Sequence, residues 1–368
     1  MPSLTVPQIP HYTPPPRTKE ELHWADLAII DLAKAQDPDP VVRSELARQV
    51  AEASKTQGFF YVVNHGWSAA QVERMFDIAD VVFSPAVDAE EKKVYTANIK
   101  QTGSYQGYKP RQYWHIDNGV QDQVETYSIH RDVTMRQHPQ ALRPLLPEIG
   151  ALARHTHFDV LHPVLRLLAL GLELPEDSLV KLHGFEAPGA SHLRFMKYHP
   201  RSPEDELKTK NVWLKGHTDI GTVTVLYSQP VSALQILGKD GTWRWIKHIE
   251  NAIVINTGDS MEFLSGGFYQ PTIHRVVQPP ADQQNHTRLG LFYFALADFE
   301  VRLVPFEESP MLKRVGITRR FEDKDAPTQE EWGRARTSAY GKTQLKATSE
   351  ERKVEEEVIG GVIVRHYS

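Results

Sequence analysis

The sequence predicts an α+β chain with a mainly β core, in which a mixed helix-and-strand first half leads into a sandwich or jelly roll. Three observations carry that expectation. Short strand-like runs separated by turn residues crowd the stretch from Leu193 to Leu296. Ahead of them, apolar residues recur at helical spacing in Val41–Thr56, and Leu146–Leu172 again reads as helical. The chain has 368 residues, 40% of them hydrophobic and 24% charged, enough to bury a large core as one large domain or two small ones.

The elements follow in order. Pro7 to Pro16 is a proline cluster that reads as an extended arm rather than a fold element. In Val41–Thr56 the residues Leu46, Val50 and Ala53 share one helical face, and Gly58 stops the helix. Phe59–Val63 is an apolar run expected as a buried strand. Ser68 with Gln71 three residues later is a capping box for a helix over Ala69–Val82. Pro163 is expected to break or kink the helical stretch around it. The expected strands are then Leu193–Tyr198, Thr222–Tyr227, Leu234–Leu237, Trp243–Trp245, Ile253–Asn256, Thr272–Val277 and Arg288–Leu296. Asp240-Gly241 supplies a hairpin turn between two of them. The charge-dense stretch Glu350–Val358 reads as helical or solvated.

Composition removes several classes of function. A formal net charge of −5 gives no reason to expect nucleic acid as a partner. With no cysteine, disulfides, thiolate metal sites and cysteine nucleophiles are excluded. Any transition metal must be held by His, Asp or Glu, a donor set that suits iron, manganese or zinc. Met1–Glu21 has no apolar signal core, and Leu161–Leu174 is too short to span a bilayer, so a cytoplasmic, non-membrane protein is expected. The Asn285-His286-Thr287 sequon carries no weight without a secretion route.

The chemistry starts from H-x-D, which recurs here as His115-Ile116-Asp117, His130-Arg131-Asp132 and His217-Thr218-Asp219. With 17 histidines, about one such match is expected from composition alone, so context must choose. His217-Thr218-Asp219 stands at the entry to the alternating strand Thr222–Tyr227, where residues i and i+2 point the same way. A third candidate, His274, lies in another strand 55 residues after Asp219. Two histidines and one carboxylate on one face of an octahedral metal leave positions open, the arrangement of non-haem Fe(II) oxygenases. The other two copies lie in loop-like, aromatic sequence without a matching downstream histidine. His130-Arg131-Asp132 also mimics a kinase catalytic loop, but no glycine-rich loop or D-F-G accompanies it.

These residues resemble the isopenicillin N synthase-like family of Fe(II)/2-oxoglutarate-dependent dioxygenases. Phe59-Phe60-Tyr61-Val62-Val63-Asn64-His65-Gly66 resembles its N-terminal signature, and Leu193–Tyr198 the strand before its metal motif. Gly216–Leu226, Leu234–Leu237, Asp240–Trp243, Ile255–Asp259, Ile273–Val277 and Arg288 continue the match in order, so it runs from about Leu27 to Leu296. The resemblance implies a double-stranded β-helix, or jelly roll, with flanking helices. It implies that His217, Asp219 and His274 ligate Fe(II). It implies that Arg288 pairs with the far carboxylate of the co-substrate 2-oxoglutarate, with Tyr198 as a supporting hydroxyl, and that O2 is consumed. The division that follows is an arm over 1–24, the family's N-terminal region over 25–150, the catalytic jelly roll over 151–300 with its metal motifs in 190–300, and a C-terminal extension over 301–368.

The implied reaction is oxidation of a C–H bond of a small organic molecule through a ferryl intermediate, by hydroxylation or desaturation, in secondary or xenobiotic metabolism. Two features depart from the family. Its R-x-S triplet is Arg288-Leu289-Gly290 here, which lacks the hydroxyl and is expected to leave space at Gly290. Met196 stands where plant members commonly have Asn. Tyr105, Tyr108 and Trp114 lie where the family contributes a lid, and Phe292 and Phe294 share a strand face with Arg288, so these five are the expected substrate pocket. A planar or apolar substrate suits them, whereas Lys197, Lys215 and Arg194 are the alternative, for an anionic one. His65 reads as a turn residue rather than a ligand. Two rival readings stand beside the first: an oxidase of the same fold that uses no keto acid, and a jelly-roll binding protein without catalysis.

Overall fold

The computed structural model describes residues 7–339, 346–347, 354–359 and 362–367. Among them the first strands are β1 (Ile29–Asp31), β2 (Phe59–Val63), β3 (Gly107–Lys109), β4 (His115–Asp117), β5 (Val120–Gln121) and β6 (Val124–His130). The central strands are β7 (His192–Tyr198), β8 (Val212–His217), β9 (Val223–Tyr227), β10 (Leu234–Leu237), β11 (Trp243–Trp245) and β12 (Ile253–Thr257). They continue as β13 (His274–Val277), β14 (Arg288–Ala295), β15 (Lys346–Ala347), β16 (Val354–Ile359) and β17 (Val362–Tyr367). An eight-stranded sheet runs β1-β2-β12-β9-β14-β7-β6-β3, and a seven-stranded sheet runs β11-β10-β13-β8-β17-β16-β15. The core is a jelly roll with helices against the larger sheet.

Helix Pro40–Thr56 is capped by Asp39, whose carboxylate accepts from the Val41 amide, and it buries Leu46, Val50 and Ala53 as its spacing predicts. Gly58 follows at φ +65°, and a Cβ there would collide with Thr272 and the Gln270 carbonyl, so only glycine lets the chain enter β2 at this point. The capping box at Ser68 and Gln71 opens helix Ala69–Val81. Around Pro163 the chain stays helical but its winding changes. A π-helical turn, Thr156–Leu161, joins helices Leu146–His155 and His162–Gly171, and Pro163 sits just after it. Proline lacks an N–H for the preceding turn, and the widened turn absorbs the loss. These helices pack their buried apolar faces on the larger sheet, in a core that includes Leu152, Leu165, Tyr227 and Leu291.

Three expectations change. His217 does not lead into the strand that follows it: it ends β8 in the smaller sheet, while β9 belongs to the larger one, so H-T-D spans the crossing between sheets. The stretches carrying the other H-x-D copies are strands, β4 and the end of β6, not loops. The charged tail is not helical: β16 and β17 form a hairpin, and β17 joins β8 at Tyr367 opposite Gly216. Glu350–Lys353 of that stretch lie outside the described residues, as do the first six of the arm. From Pro7 to His23 the arm holds no helix or strand and is tied down along its length. Arg74 donates to the Pro7 carbonyl at 2.9 Å, the Tyr12 amide to Asp77 at 2.7 Å, and Gln283 to the Pro16 carbonyl at 2.6 Å.

Candidate active site

β8 and β13 are antiparallel neighbours, and their register puts His274 directly opposite His217. The two rings lie 4.5 Å apart between centroids. Each imidazole is oriented by a backbone carbonyl two residues before it. His217 Nδ1 lies 2.8 Å from Lys215 O, and His274 Nδ1 lies 3.1 Å from Thr272 O. A proton on Nδ1 donating to these carbonyls leaves each Nε2 with its lone pair, which is the form that binds metal. Asp219 Oδ1 faces both Nε2 atoms, at 3.8 Å from His217 and 3.7 Å from His274.

The other oxygen of Asp219 is already committed. Oδ2 accepts from Thr224 Oγ1 at 2.6 Å and from Asn256 Nδ2 at 2.8 Å. Burial works against ionising Asp219, but the two histidines when they carry a proton on both nitrogens, together with these two donors, outweigh it and hold the carboxyl below its usual range. Among the described residues this is the cluster whose side chains converge tightly enough for a metal ion, with ligand atoms within 4.8 Å of one another. Two neutral imidazoles and a carboxylate form the facial donor set that suits Fe(II), so the residues present fit that ion.

The triad opens into a cavity of about 690 Å³ between the two sheets. Leu214 and Val276 wall it from the smaller sheet, and Met196, Leu226, Phe292 and Phe294 from the larger. Arg288, the first residue of β14, also lines it and lies opposite Tyr198 of β7. Its side chain is buried, and its Nε and Nη1 have no hydrogen-bond partner among the described residues. Its guanidinium carbon lies 5.4 Å from the Tyr198 ring centroid. Burial pushes the Tyr198 phenol up to about 12, so it keeps its proton and stays a donor. A buried guanidinium without a protein acceptor is costly alone, and a carboxylate entering the cavity would give it a charge-assisted partner.

Tyr105, Trp114, Phe292 and Phe294 line the cavity, as the sequence leads one to expect. Tyr108 does not. β3 turns it the other way, into the core behind the sheet, where its hydroxyl donates to Glu125 at 2.6 Å. Of the three cations considered for an anionic substrate, only Arg194 reaches the cavity, between the rings of Tyr105 and Phe294 at 4.9 and 4.7 Å. Alternation along β7 points Lys197 outward to Asp80 at 2.6 Å, and Lys215 is likewise absent from the wall that Leu214 supplies. Gly290 does not leave space either. The ring of Phe292 folds over it, and a Cβ would sit 2.5 Å from Phe292 Cε2. His65 is buried, with Nε2 3.2 Å from Asn251 O, away from the triad.

The remaining H-x-D copies form no metal-binding cluster among the described residues. His130 Nδ1 accepts from the Asp132 amide at 3.0 Å, and Asp132 accepts from Thr134. His115 is exposed. A fourth copy, His157-Phe158-Asp159, was passed over, and its His157 bonds Tyr293 Oη at 2.7 Å inside the helical core. Sequence reasoning also passed over Thr224 and Asn256. Asn256 had a signal, since an amide inside the apolar strand Ile253–Thr257 needs a polar partner. The stretch beyond Phe299, which the sequence allows to cover the pocket, does so through helix Gln329–Ala339, which sequence reasoning did not identify and whose Gln329, Gly333, Arg334 and Arg336 line the cavity.

Comparisons with known proteins agree with this geometry. Residues 27–148 match the family described as non-haem dioxygenase in morphine synthesis N-terminal, and residues 190–296 match the 2OG-Fe(II) oxygenase superfamily. Leucoanthocyanidin dioxygenase of Vitis vinifera is 30% identical over 263 residues, covering 67% of each chain. Jasmonate-induced oxygenase 3 of Arabidopsis thaliana is 27% identical over 313 residues, covering 82% of this chain and 80% of that one. Among solved structures, JOX2 in complex with 2OG, Fe and JA superposes with a TM-score of 0.61 at 25% identity, covering 88% of this chain and 89% of that one. A 2OG-Fe(II) oxygenase family protein of Caulobacter crescentus gives 0.68 at 20% identity, covering 84% and 98%, and shows the fold alone. The chain therefore belongs to the isopenicillin N synthase-like oxygenases of the 2OG-Fe(II) superfamily, oxidoreductases that use Fe(II), 2-oxoglutarate and O2 on small organic molecules.

Proposed function

We propose that in this dioxygenase His217, Asp219 and His274 hold the iron, while Arg288 with Tyr198 holds the far carboxylate of 2-oxoglutarate. The observation that carries the second half is the pair of unpartnered donors on Arg288, buried at the end of the same cavity that the triad opens into. Iron held by these residues would supply the oxidant for a substrate C–H bond, at the cost of O2 and of 2-oxoglutarate, which would be converted to succinate and CO2. The protein's own part is positional. The carbonyls of Lys215 and Thr272 hold the Nδ1 protons of the two ligand histidines, so both present Nε2. Thr224 and Asn256 keep Asp219 ionised and aimed through Oδ1. Arg288 fixes the keto acid by its far end, which sets where its reacting end lies.

The apolar walls favour a flat, largely apolar substrate, and Arg194 between two rings favours one with a polar or anionic edge. A cytosolic location belongs to the same proposal, supported by the absence among the described residues of any helix long and apolar enough to cross a membrane. The experiment is to reconstitute the protein anaerobically with Fe(II), add 2-oxoglutarate and O2, and measure succinate. Succinate should form with O2 uptake in the native protein and vanish in His274→Ala. O2 uptake without succinate would favour an oxidase that needs no keto acid, and a protein that binds no iron would favour a binding role.

A further inference from the structure

Helix Gln329–Ala339 reaches the cavity from a part of the chain outside both matched segments. It packs on the left-handed turn at Gly103, where a Cβ would meet Arg334 Cγ at 3.0 Å, and its inner residues form part of the cavity wall. Arg336 goes further than the wall. Its side chain is buried, and its Nε donates to Asp259 Oδ2 at 3.1 Å in an ion pair whose side chains are 2% and 8% exposed. Its Nη2 donates to the backbone carbonyl of Thr218 at 3.0 Å. Thr218 stands between two of the three ligand residues. Asp259 is bound to the same turn from the other side, because its amide donates to the Asp219 carbonyl at 2.8 Å. One guanidinium therefore joins the roof of the cavity, an acid fixed on the next helix and the turn that carries His217 and Asp219.

We propose that Arg336 is a positioning residue of the metal turn, so that the helix roofing the cavity also sets the spacing of two of the three ligands. The proposal rests on the reading that His217, Asp219 and His274 hold the metal. Its physical basis is the planar fork of arginine, which serves two acceptors in fixed directions where an ammonium acts as one point charge. In the absence of this cation, Asp259 would be a buried, uncompensated carboxylate, and the turn would lose the bond to its Thr218 carbonyl.

The test is an anaerobic titration of the full chain with Co(II), followed by the visible ligand-field bands, which report ligand geometry without turnover. Arg336→Lys keeps a positive charge beside Asp259 and so preserves folding, but it has no fork to hold the Thr218 carbonyl as well. Its Co(II) affinity should fall about tenfold, the low end of what loss of a supporting bond to a metal site costs. The bands should shift, while the unfolding midpoint without metal stays near that of the native protein. Native affinity and native bands in R336K would overturn the proposal. If R336K does not fold, R336Q combined with D259N removes the charge and the fork together, and the same two outcomes decide. A native protein that binds no Co(II) would fail the metal reading itself, whereas native binding with an unaffected variant fails only the role given to Arg336.

Discussion

The two ends of the cavity are built on different principles. At the triad, each polar atom that is not a ligand already has a partner: Lys215 O and Thr272 O for the imidazoles, Thr224 and Asn256 for the carboxylate. At the other end, Arg288 is buried with two donors unused, and the ring of Phe292 covers the position where the family carries a hydroxyl. The first end is finished by the protein, and the second is finished by what binds there. A prepared metal site loses little entropy on loading. An unsatisfied guanidinium reserves its strongest bonds for the ligand, so the same burial that destabilises the empty site sharpens selection for a carboxylate.

Substitutions at the two ends should therefore fail differently. The largest effect is expected from Asp219→Ala, which removes the one anionic donor: succinate formation should become undetectable, and Fe(II) should no longer raise the unfolding midpoint. A midpoint that still rises with Fe(II) would break the contrast, because the finished end would then lie elsewhere. Next is Arg288→Lys. Losing a forked, charge-assisted contact of roughly 1.5–3 kcal/mol should raise the apparent KM for 2-oxoglutarate about tenfold to a hundredfold, with the iron affinity unchanged. An unchanged KM would take the co-substrate away from this end. Gly290→Ser restores the family's triplet yet should harm this protein by about 1–3 kcal/mol in unfolding free energy, because its Cβ meets the Phe292 ring. Combining it with Phe292→Ala should recover much of that loss, as a double-mutant cycle would show. The smallest effect is expected from Asn256→Ala, which leaves Thr224 on Asp219: Fe(II) affinity should drop about tenfold in an anaerobic titration, while the KM for 2-oxoglutarate hardly moves.

Local pattern made the strands and the main helices legible, since Leu234–Leu237 and Trp243–Trp245 have the bounds that their alternation and the Asp240-Gly241 turn set. The triad was legible because ordered matches around it selected one H-x-D among several. What stayed hidden depends on contacts between distant segments. Tyr105 and Tyr108 look alike in sequence, and only the pairing of β3 with β6 sends Tyr108 to Glu125 and leaves Tyr105 in the cavity. The space expected at Gly290 is filled by a neighbour two residues away, through a side-chain rotation that no spacing rule predicts. Arg336 sits in Gln329–Ala339, a segment with the polar composition of a surface helix, and nothing local marks it as buried.

The hairpin that ends in β17 has a practical meaning for anyone handling this protein. β17 touches β8 at Gly216, the residue just before His217, so the strand bearing a ligand has its second neighbour only when the last described residues are in place. Until then one side of β8 is an open edge, free to recruit another chain. A fusion partner or purification tag placed after Tyr367 would thus be attached beside Gly216, the residue before His217. Preparations that differ only in which end carries the tag should differ in metal content and in aggregation before they differ in anything else.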